Sequence, residues 1–330
     1  MLSKTQKRAI VFFIALLVSL LIWYINASWG NMFLTCLILS TTTFLIIYSP
    51  FEIYFCWRDI WYDRWERIYL KSVNKSNIGV EVEGGILHGN LLANTDQSVV
   101  SSKNTIVIFS HGFSDIKEKL QYYYLPLAHN GYVILTYDAR GIGESKKAGK
   151  RSDFLKLIDD YNAIIQWIKK QDEFASFRIY SIGTSIGAII ALCAGLPNPY
   201  IKKIVAISSI SNYKLNIENS NAIVKFSYFL KGINLFPNEN ENEKLSPNII
   251  IDKLKERLSG EEWALLSKKV FLIHSRNDKI TPFYNFEEIK LNLMLSNENQ
   301  LILRNGGHTQ KKNELSIVGA TLKFLNRSLE

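Results

Sequence analysis

The hydrophobic and polar positions follow two different regimes along the chain. From Ala9 to Phe51 no Lys, Arg, Asp or Glu occurs, and a polar pause at Asn26–Asn31 (NASWGN) divides the stretch into two apolar runs. The runs, Ala9–Ile25 and Met32–Tyr48, are 17 residues each, the lower limit for a helix that crosses the hydrocarbon of a bilayer. Trp23, Tyr24, Trp29 and Tyr48 lie at their ends, where interfacial aromatics gather. The pattern predicts a membrane anchor over residues 1–50, with two transmembrane helices at about 9–25 and 32–48. The competing readings are a secretory signal peptide for the first run and a pair of buried core helices. Against cleavage, no convincing A-x-A site follows the first run, and the second arrives at once.

After the second run, Phe51–Trp65 (FEIYFCWRDIWYDRW) mixes aromatics with charges. This predicts that Phe51–Trp65 lies along the interface, within a juxtamembrane segment over 51–75, with an ordinary first helix of the following domain as the alternative. From residue 76 the pattern becomes short apolar runs alternating with longer amphipathic ones, the mark of a mostly parallel sheet covered by helices. Gly79–Glu83 and Ile86–Ala93 flank the turn pair Gly84-Gly85 and predict a hairpin. Buried strands are expected at Thr105–Ser110, Tyr132–Tyr137, Arg178–Ile182, Ile204–Ser208, Val270–His274 and Gln300–Leu303, making eight in all. Phe154–Lys170 carries apolar residues at helical spacing.

One interval breaks this rhythm, because nearly 60 residues, 211–269, separate two consecutive strands. An insertion of that length is expected to be a lid over the site. It should hold an aromatic helix at Ala222–Leu230, a polar linker rich in Asn and Glu (PNENENEKLSPN), and a charged helix at Ile249–Leu258. The three glutamates of the linker, Glu239, Glu241 and Glu243, read as solvated.

Composition narrows the class. With 330 residues, 47% hydrophobic and 21% charged, the chain can bury a large core and is neither disordered nor collagen-like. Three widely spaced cysteines, Cys36, Cys56 and Cys193, form neither a disulfide framework nor a metal or redox motif. The net charge is +9, but its lysine pairs are dispersed and no nucleic-acid module accompanies them, so nucleic acid is not an expected partner. Attraction to an anionic membrane surface accounts for the basic balance more simply. Lys4, Lys7 and Arg8 precede the first apolar run and Arg58, Arg64, Arg67 and Lys71 follow the second, while the turn between has no basic residue. Basic flanks resist translocation, so both ends and the catalytic domain are expected on the cytoplasmic side.

The chemistry is expected at strand ends. Gly183-Thr184-Ser185-Ile186-Gly187 follows a predicted strand and opens a predicted helix, the context of a nucleophile elbow. Glycines there let neighbouring chain pass close to a sharply turned serine, and the helix N-terminus offers positive potential to a developing oxyanion. A serine needs a base and the base an orienting carboxylate. Asp278 follows the strand at Val270–His274, and His308 follows the strand at Gln300–Leu303. The order Ser185, Asp278, His308 is that of the α/β-hydrolases. No carboxylate follows the preceding strand to compete with Asp278. His88, His129 and His274 read as structural. In His111-Gly112-Phe113 the chain leaves a buried strand on glycine, so the backbone N–H of Phe113 and that of Ile186 are expected to form an oxyanion hole. Neither a metal nor a cofactor is implied.

These motifs, with SHGFSD at Ser110–Asp115 and YDARGIGES at Tyr137–Ser145, resemble the α/β-hydrolase superfamily. The resemblance is closest to membrane-anchored serine hydrolases grouped with serine aminopeptidase and monoacylglycerol lipase-like sequences, and it covers Gly79 to the C-terminus. It implies an α/β-hydrolase fold over residues 76–330, and that Asp138, Arg140 and Gly141 shape a loop beside the site. Two departures bear on substrate choice: the long insertion, polar in its middle, and the bulky Ile186 where the group usually has a small residue. The expected activity is hydrolysis of an acyl ester such as a lysophospholipid, monoacylglycerol or acyl-protein. A serine aminopeptidase and a non-catalytic membrane scaffold are the alternatives.

Overall fold

The two apolar runs form the long helices α1 (Lys4–Ser28) and α2 (Phe33–Trp61) of a computed structural model that describes residues 4–61 and 70–328, with side chains over 6–56 and 70–328. The chain divides into an N-terminal unit, Met1–Glu66, and a larger one, Arg67–Glu330.

In the first unit the helices pack against each other as a hairpin. Ala15, Ser19, Cys36 and Ser40, all small, lie inside together with Phe55, and Ser19 Oγ donates to the Ser40 carbonyl at 2.7 Å. What they expose is apolar, with Phe13, Leu17, Leu20, Ile38 and Ile46 all more than half exposed. That is the inverse of a water-soluble core helix and the arrangement expected where the solvent is lipid. Gln6–Ser28 and Phe33–Cys56 are each long and apolar enough to cross a membrane. The second helix does not end near Tyr48 as expected. It passes through Pro50 to Trp61, since the segment after Pro50 has no further breaker and one proline costs only a single backbone hydrogen bond and a local clash. The first half of the expected interfacial segment is therefore a continuation of α2. Residues 62–69, with Arg64 and Arg67, lie outside the described residues, as does the side chain of Arg58.

The second unit is built on an eight-stranded sheet. In chain order it runs β1 (Val73–Val82), β2 (Gly85–Asn94), α3 (Gln97–Lys103), β3 (Thr105–Ser110), α4 (Gln121–His129), β4 (Val133–Tyr137), α5 (Phe154–Lys169), β5 (Arg178–Thr184) and α6 (Ile186–Gly195). There follow β6 (Ile201–Ile207), α7 (Tyr213–Glu218), α8 (Ala222–Leu230), α9 (Glu239–Leu245), α10 (Pro247–Lys255), α11 (Gly260–Lys268), β7 (Val270–Ser275), α12 (Tyr284–Asn292), β8 (Gln300–Leu303) and α13 (Glu314–Asn326). The spatial order is β1-β2-β4-β3-β5-β6-β7-β8, with β1, β2 and β4 antiparallel neighbours and every other pairing parallel. This is the α/β-hydrolase fold.

The order of the strands determines where the helices go. The crossover from β3 to β4 runs one way along the sheet and that from β4 to β5 runs back across β3, so right-handed connections put α4 and α5 on opposite faces. α4 packs with α13, and α5 with α6. Strands β3 and β4, with every residue buried, read as unbroken apolar runs because both faces are covered. Each fully buried Ile, Leu or Phe there contributes roughly 1.5–3 kcal/mol. The same doubly wound topology gathers the carboxyl ends of β3, β5, β6, β7 and β8 on one rim, the place where such sheets hold their ligands.

The insertion holds five helices, α7 to α11, and the Asn- and Glu-rich stretch is not a linker. Asn238 accepts from the Glu241 N–H while the Glu241 carboxylate accepts from the Asn238 N–H, a reciprocal cap that starts α9. The buried Asn242 then bonds Ser246 Oγ and the Lys214 N–H, so polar residues of α9 serve as interior fastenings. The charged helix begins earlier than expected, at Pro247, because proline is well suited to a first helical turn.

Candidate active site

Ser185 stands at the junction of β5 and α6 with φ 54° and ψ −119°, a conformation that costs a residue with a side chain on the order of 1–3 kcal/mol. The flanking glycines are there for space. A Cβ on Gly187 would fall 2.2 Å from the Ser110 carbonyl oxygen, and one on Gly183 would fall 2.1 Å from that of Gly187. The turn therefore presses α6 against the end of β3, and the helix that follows is buried at all ten residues.

His308 lies in a short turn, Gly307–Thr309, beyond β8, and Asp278 in the loop beyond β7. The structure brings the three side chains together. His308 Nε2 is 2.9 Å from Ser185 Oγ, and His308 Nδ1 is 2.8 Å from Asp278 Oδ2. The carboxylate takes only donors, so Nδ1 holds the ring proton and Nε2 is left to accept from the serine. Asp278 is buried, and its other oxygen accepts from the N–H groups of Ile280 and Thr281 at 2.9 Å each. Burial alone would push its pKa up, but the charge and hydrogen bond of His308, with help from His274 and Thr281, hold it well below the usual carboxylate range.

Two residues on this hydrogen-bond network, and one that braces the loop after β4, were not singled out by the sequence. Thr281 Oγ1 donates to Asp278 Oδ2 at 2.7 Å and lies 3.2 Å from His308 Nδ1. Asn277 Oδ1 accepts from the Gly307 N–H at 2.9 Å. Lys117 is buried, donates to Asp138 and pairs with Glu144. A carboxylate followed by Thr three residues on is common in loops, and the contact of Asn277 with Gly307 crosses 30 residues.

Each of the other histidines has a brace-like contact. His274 is buried and donates from Nε2 to the Thr281 carbonyl at 2.7 Å, and burial pushes its pKa down. His129 lies 2.8 Å from Ser72 Oγ, and the His88 N–H donates to Ser145 Oγ at 2.8 Å. His111 Nε2 accepts from the Ala139 N–H at 3.0 Å, which leaves Nδ1 to donate to the Gly112 carbonyl at 2.7 Å. That carbonyl also accepts from the Asp115 N–H at 3.1 Å. In a trans peptide the N–H lies on the edge opposite the carbonyl, so these bonds fix the direction of the Phe113 N–H. Gly112 itself backs onto Ser185, for a side chain built on it would come 3.5 Å from Ser185 Cβ. Ile186 supplies the first N–H of α6.

The loop after β4 is held by two buried ion pairs. Asp138 accepts from the Lys117 N–H and the Glu144 N–H at 2.9 Å each, and Arg140 pairs with Asp160. The insertion reaches this region at the end of α8, where Lys231 Nζ stands 5.7 Å from the centre of the Phe113 ring. On α8, Phe226, Phe229 and Leu230 are mainly exposed, while Tyr228 packs inward. The acidic residues of α9 are engaged: Glu239 pairs with Lys214, Glu243 with Lys253, and Glu241 closes the helix cap.

Residues 101–269 match the family described as serine aminopeptidase, S33 (Hydrolase_4), slightly more than half of the chain. The chain belongs to this family. The matched span includes Ser185 and ends before Asp278 and His308. A 111-residue stretch is 32% identical to an uncharacterised 31.7 kDa protein of the traX-finO intergenic region of Escherichia coli, covering 32% of this chain and 37% of that protein. Among solved structures, the acylaminoacyl peptidase of Pyrococcus horikoshii is 20% identical with a TM-score of 0.57, over 79% of this chain and 42% of that one. An esterase of Pyrococcus furiosus is 20% identical with a TM-score of 0.54, over 81% of this chain and all of that one. Est1E of Butyrivibrio proteoclasticus, solved with ferulic acid, is 16% identical with a TM-score of 0.52, over 76% and 100%. The chain thus spans well under half the length of the E. coli relative and of the peptidase, and these structures share its fold.

Proposed function

We propose that this family member is a membrane-anchored serine hydrolase that cleaves an acyl ester through Ser185, His308 and Asp278. The observation that carries the reading is the unbroken hydrogen-bond chain from Ser185 Oγ through the His308 ring to the buried Asp278. His308 takes the serine proton, Oγ attacks the acyl carbonyl, and the N–H groups of Phe113 and Ile186 hold the oxyanion. His308 returns the proton to the leaving alcohol, and water then releases the acyl-enzyme. Asp278 stays ionised throughout and holds the histidine tautomer.

The anchor is the pair α1 and α2, which carries the expected 1–50 span on to Trp61, and the hydrolase domain opens with β1 at Val73 and has 211–269 as its lid. The basic residues flanking the helices orient both ends toward the cytoplasm. An apolar anchor and the exposed aromatic face of α8 favour a lipid-like acyl ester. The family's description favours a second reading, an aminopeptidase. Against it, the three glutamates of α9, the acidic candidates for holding a free amine, are already paired or capping.

The test is labelling of the detergent-solubilised full chain with a fluorophosphonate, against Ser185→Ala, followed by matched acyl esters and aminoacyl amides. Labelling lost in the variant and turnover of esters is the expected result. A folded parent chain that does not label would sink the catalytic reading and favour a scaffold.

A further inference from the structure

The turn that carries His308 has little support of its own. Gly306 and Gly307 open it at φ 126° and 61°, and a Cβ built on Gly307 would meet nothing within 4 Å. Yet the ring it carries stands within hydrogen-bond distance of Ser185 Oγ and of Asp278 Oδ2. On the Asp278 side the turn is fastened by Asn277, which accepts from the Gly307 N–H. On the Ser185 side the fastening is Gln310. Its side chain is buried, and Nε2 donates to the His308 carbonyl at 3.3 Å and to Ser208 Oγ.

Ser208 follows β6 directly and is buried as well. The peptide that joins it to Ile207 is held at both edges. Its N–H donates to the Ile273 carbonyl of β7 at 2.9 Å, and its carbonyl accepts from the Ser185 N–H at 2.9 Å. One peptide thus holds the backbone of Ser185, and the hydroxyl beside it holds, through Gln310, the backbone of His308. The arrangement is costly for the fold. Ser208 and Gln310 both lie in left-handed backbone, at φ 54° and 55°, which costs a residue with a side chain on the order of 1–3 kcal/mol. Gln310 Oε1 is buried without a hydrogen-bond partner among the described residues, a further cost of about 1–3 kcal/mol. An apolar side chain of the same length would fill the space without that second cost, so stability alone does not account for an amide here.

We propose that Gln310 is a positioning residue, which with Ser208 fixes the turn of His308 against the backbone of Ser185. Its effect on rate rests on the serine-hydrolase reading above, and its effect on the turn rests on these contacts alone. Loosening the bridge lets the imidazole drift from Ser185 Oγ and leaves the surfaces that would receive an acyl group in place. The loss is therefore in kcat.

Gln310→Met, Ser208→Ala and the double variant are compared with the parent as full-length chains in detergent micelles. The probes are 4-nitrophenyl butyrate as substrate and a fluorophosphonate as label. Each single variant is expected to lower kcat and the labelling rate about tenfold with KM little changed. The double variant should lose no more than either single one, because both remove the same bridge. Hydrogen exchange over residues 304–313, read by mass spectrometry in the Ser185→Ala background, should quicken in all three. Near-ultraviolet circular dichroism verifies that each variant is folded. Rates unchanged in both single variants of an active parent, or losses that multiply in the double one, overturn the bridge. Exchange over 304–313 that stays at the parent's rate overturns it too. A parent that neither labels nor turns over the ester, with quickened exchange in the variants, would sink the hydrolase reading and leave the bridge standing.

Discussion

Asn277 and Gly307 join the two loops that carry Asp278 and His308. The Asn277 side-chain oxygen accepts from the Gly307 N–H at 2.9 Å, and the same oxygen accepts from Ser275 Oγ at 2.7 Å. One amide therefore spans the residue before Asp278 and the residue before His308. A misplacement of a fraction of an ångström at the base is costly for a reaction that depends on a near-attack geometry.

Asn277→Ala is accordingly expected to lower kcat about tenfold with little change in KM, because it disturbs positioning and leaves the binding surfaces alone. Asn277→Asp, which keeps the acceptor, should recover most of the loss. Steady-state kinetics on an acyl ester would check this, and a change in KM alone would show that Asn277 acts elsewhere.

Asp278 makes stability depend on acid. Its pKa in the fold lies below the unfolded value near 4, so the unfolded chain binds the proton first as pH falls. The contribution is thus complete above the unfolded pKa and is lost as pH drops toward the folded one. Wild type should exceed Asp278→Asn by about 2 kcal/mol at pH 7, and the gap should narrow steadily below about pH 4. Thermal melts of the two proteins from pH 3 to 7 measure the difference, and a gap that stays constant would contradict the assignment.

How much of this was readable beforehand depended on whether the signal was local. The elbow at Ser185 was legible because strained backbone, close packing and helix initiation all act within five residues. Asp278 and His308 were legible because their strands are short apolar runs with few competing carboxylates or histidines behind them. The helical nature of α9 was missed because Asn and Glu are poor evidence for a buried helix until the reciprocal cap and the burial of Asn242 are known. Asn277 was not legible, because its contact with Gly307 joins loops 30 residues apart and the strand order that brings those loops together leaves no mark on any single stretch of sequence; Thr281, three residues from Asp278, left only a local pattern common to many loops.

Lys203 supplies a test of the fold away from the site. It is 1% exposed, yet its Nζ donates to the carbonyls of Phe324 at 3.0 Å, Leu325 at 2.9 Å and Arg327. It thereby caps the end of α13, with the rings of Tyr180 and Phe324 on either hand. Lys203→Met fills similar space but strands three acceptors, each costing about 1–3 kcal/mol when buried unpaired. Allowing for solvent reaching the helix end, a loss of about 3 kcal/mol is expected at pH 7, with a Tm lower by roughly 6–12 °C. Burial, with the charges of Arg327 and Arg178, pushes the Lys203 pKa down to about 8, below the free-lysine value near 10.4. Above pH 8 the folded chain gives up this proton while the unfolded chain keeps it, so the term favours folding more strongly as pH rises. The advantage of wild type over Lys203→Met should therefore widen between pH 8 and about 10. A methionine variant as stable as wild type, or a gap indifferent to pH across that range, would show that the lysine is tolerated in the interior rather than used there.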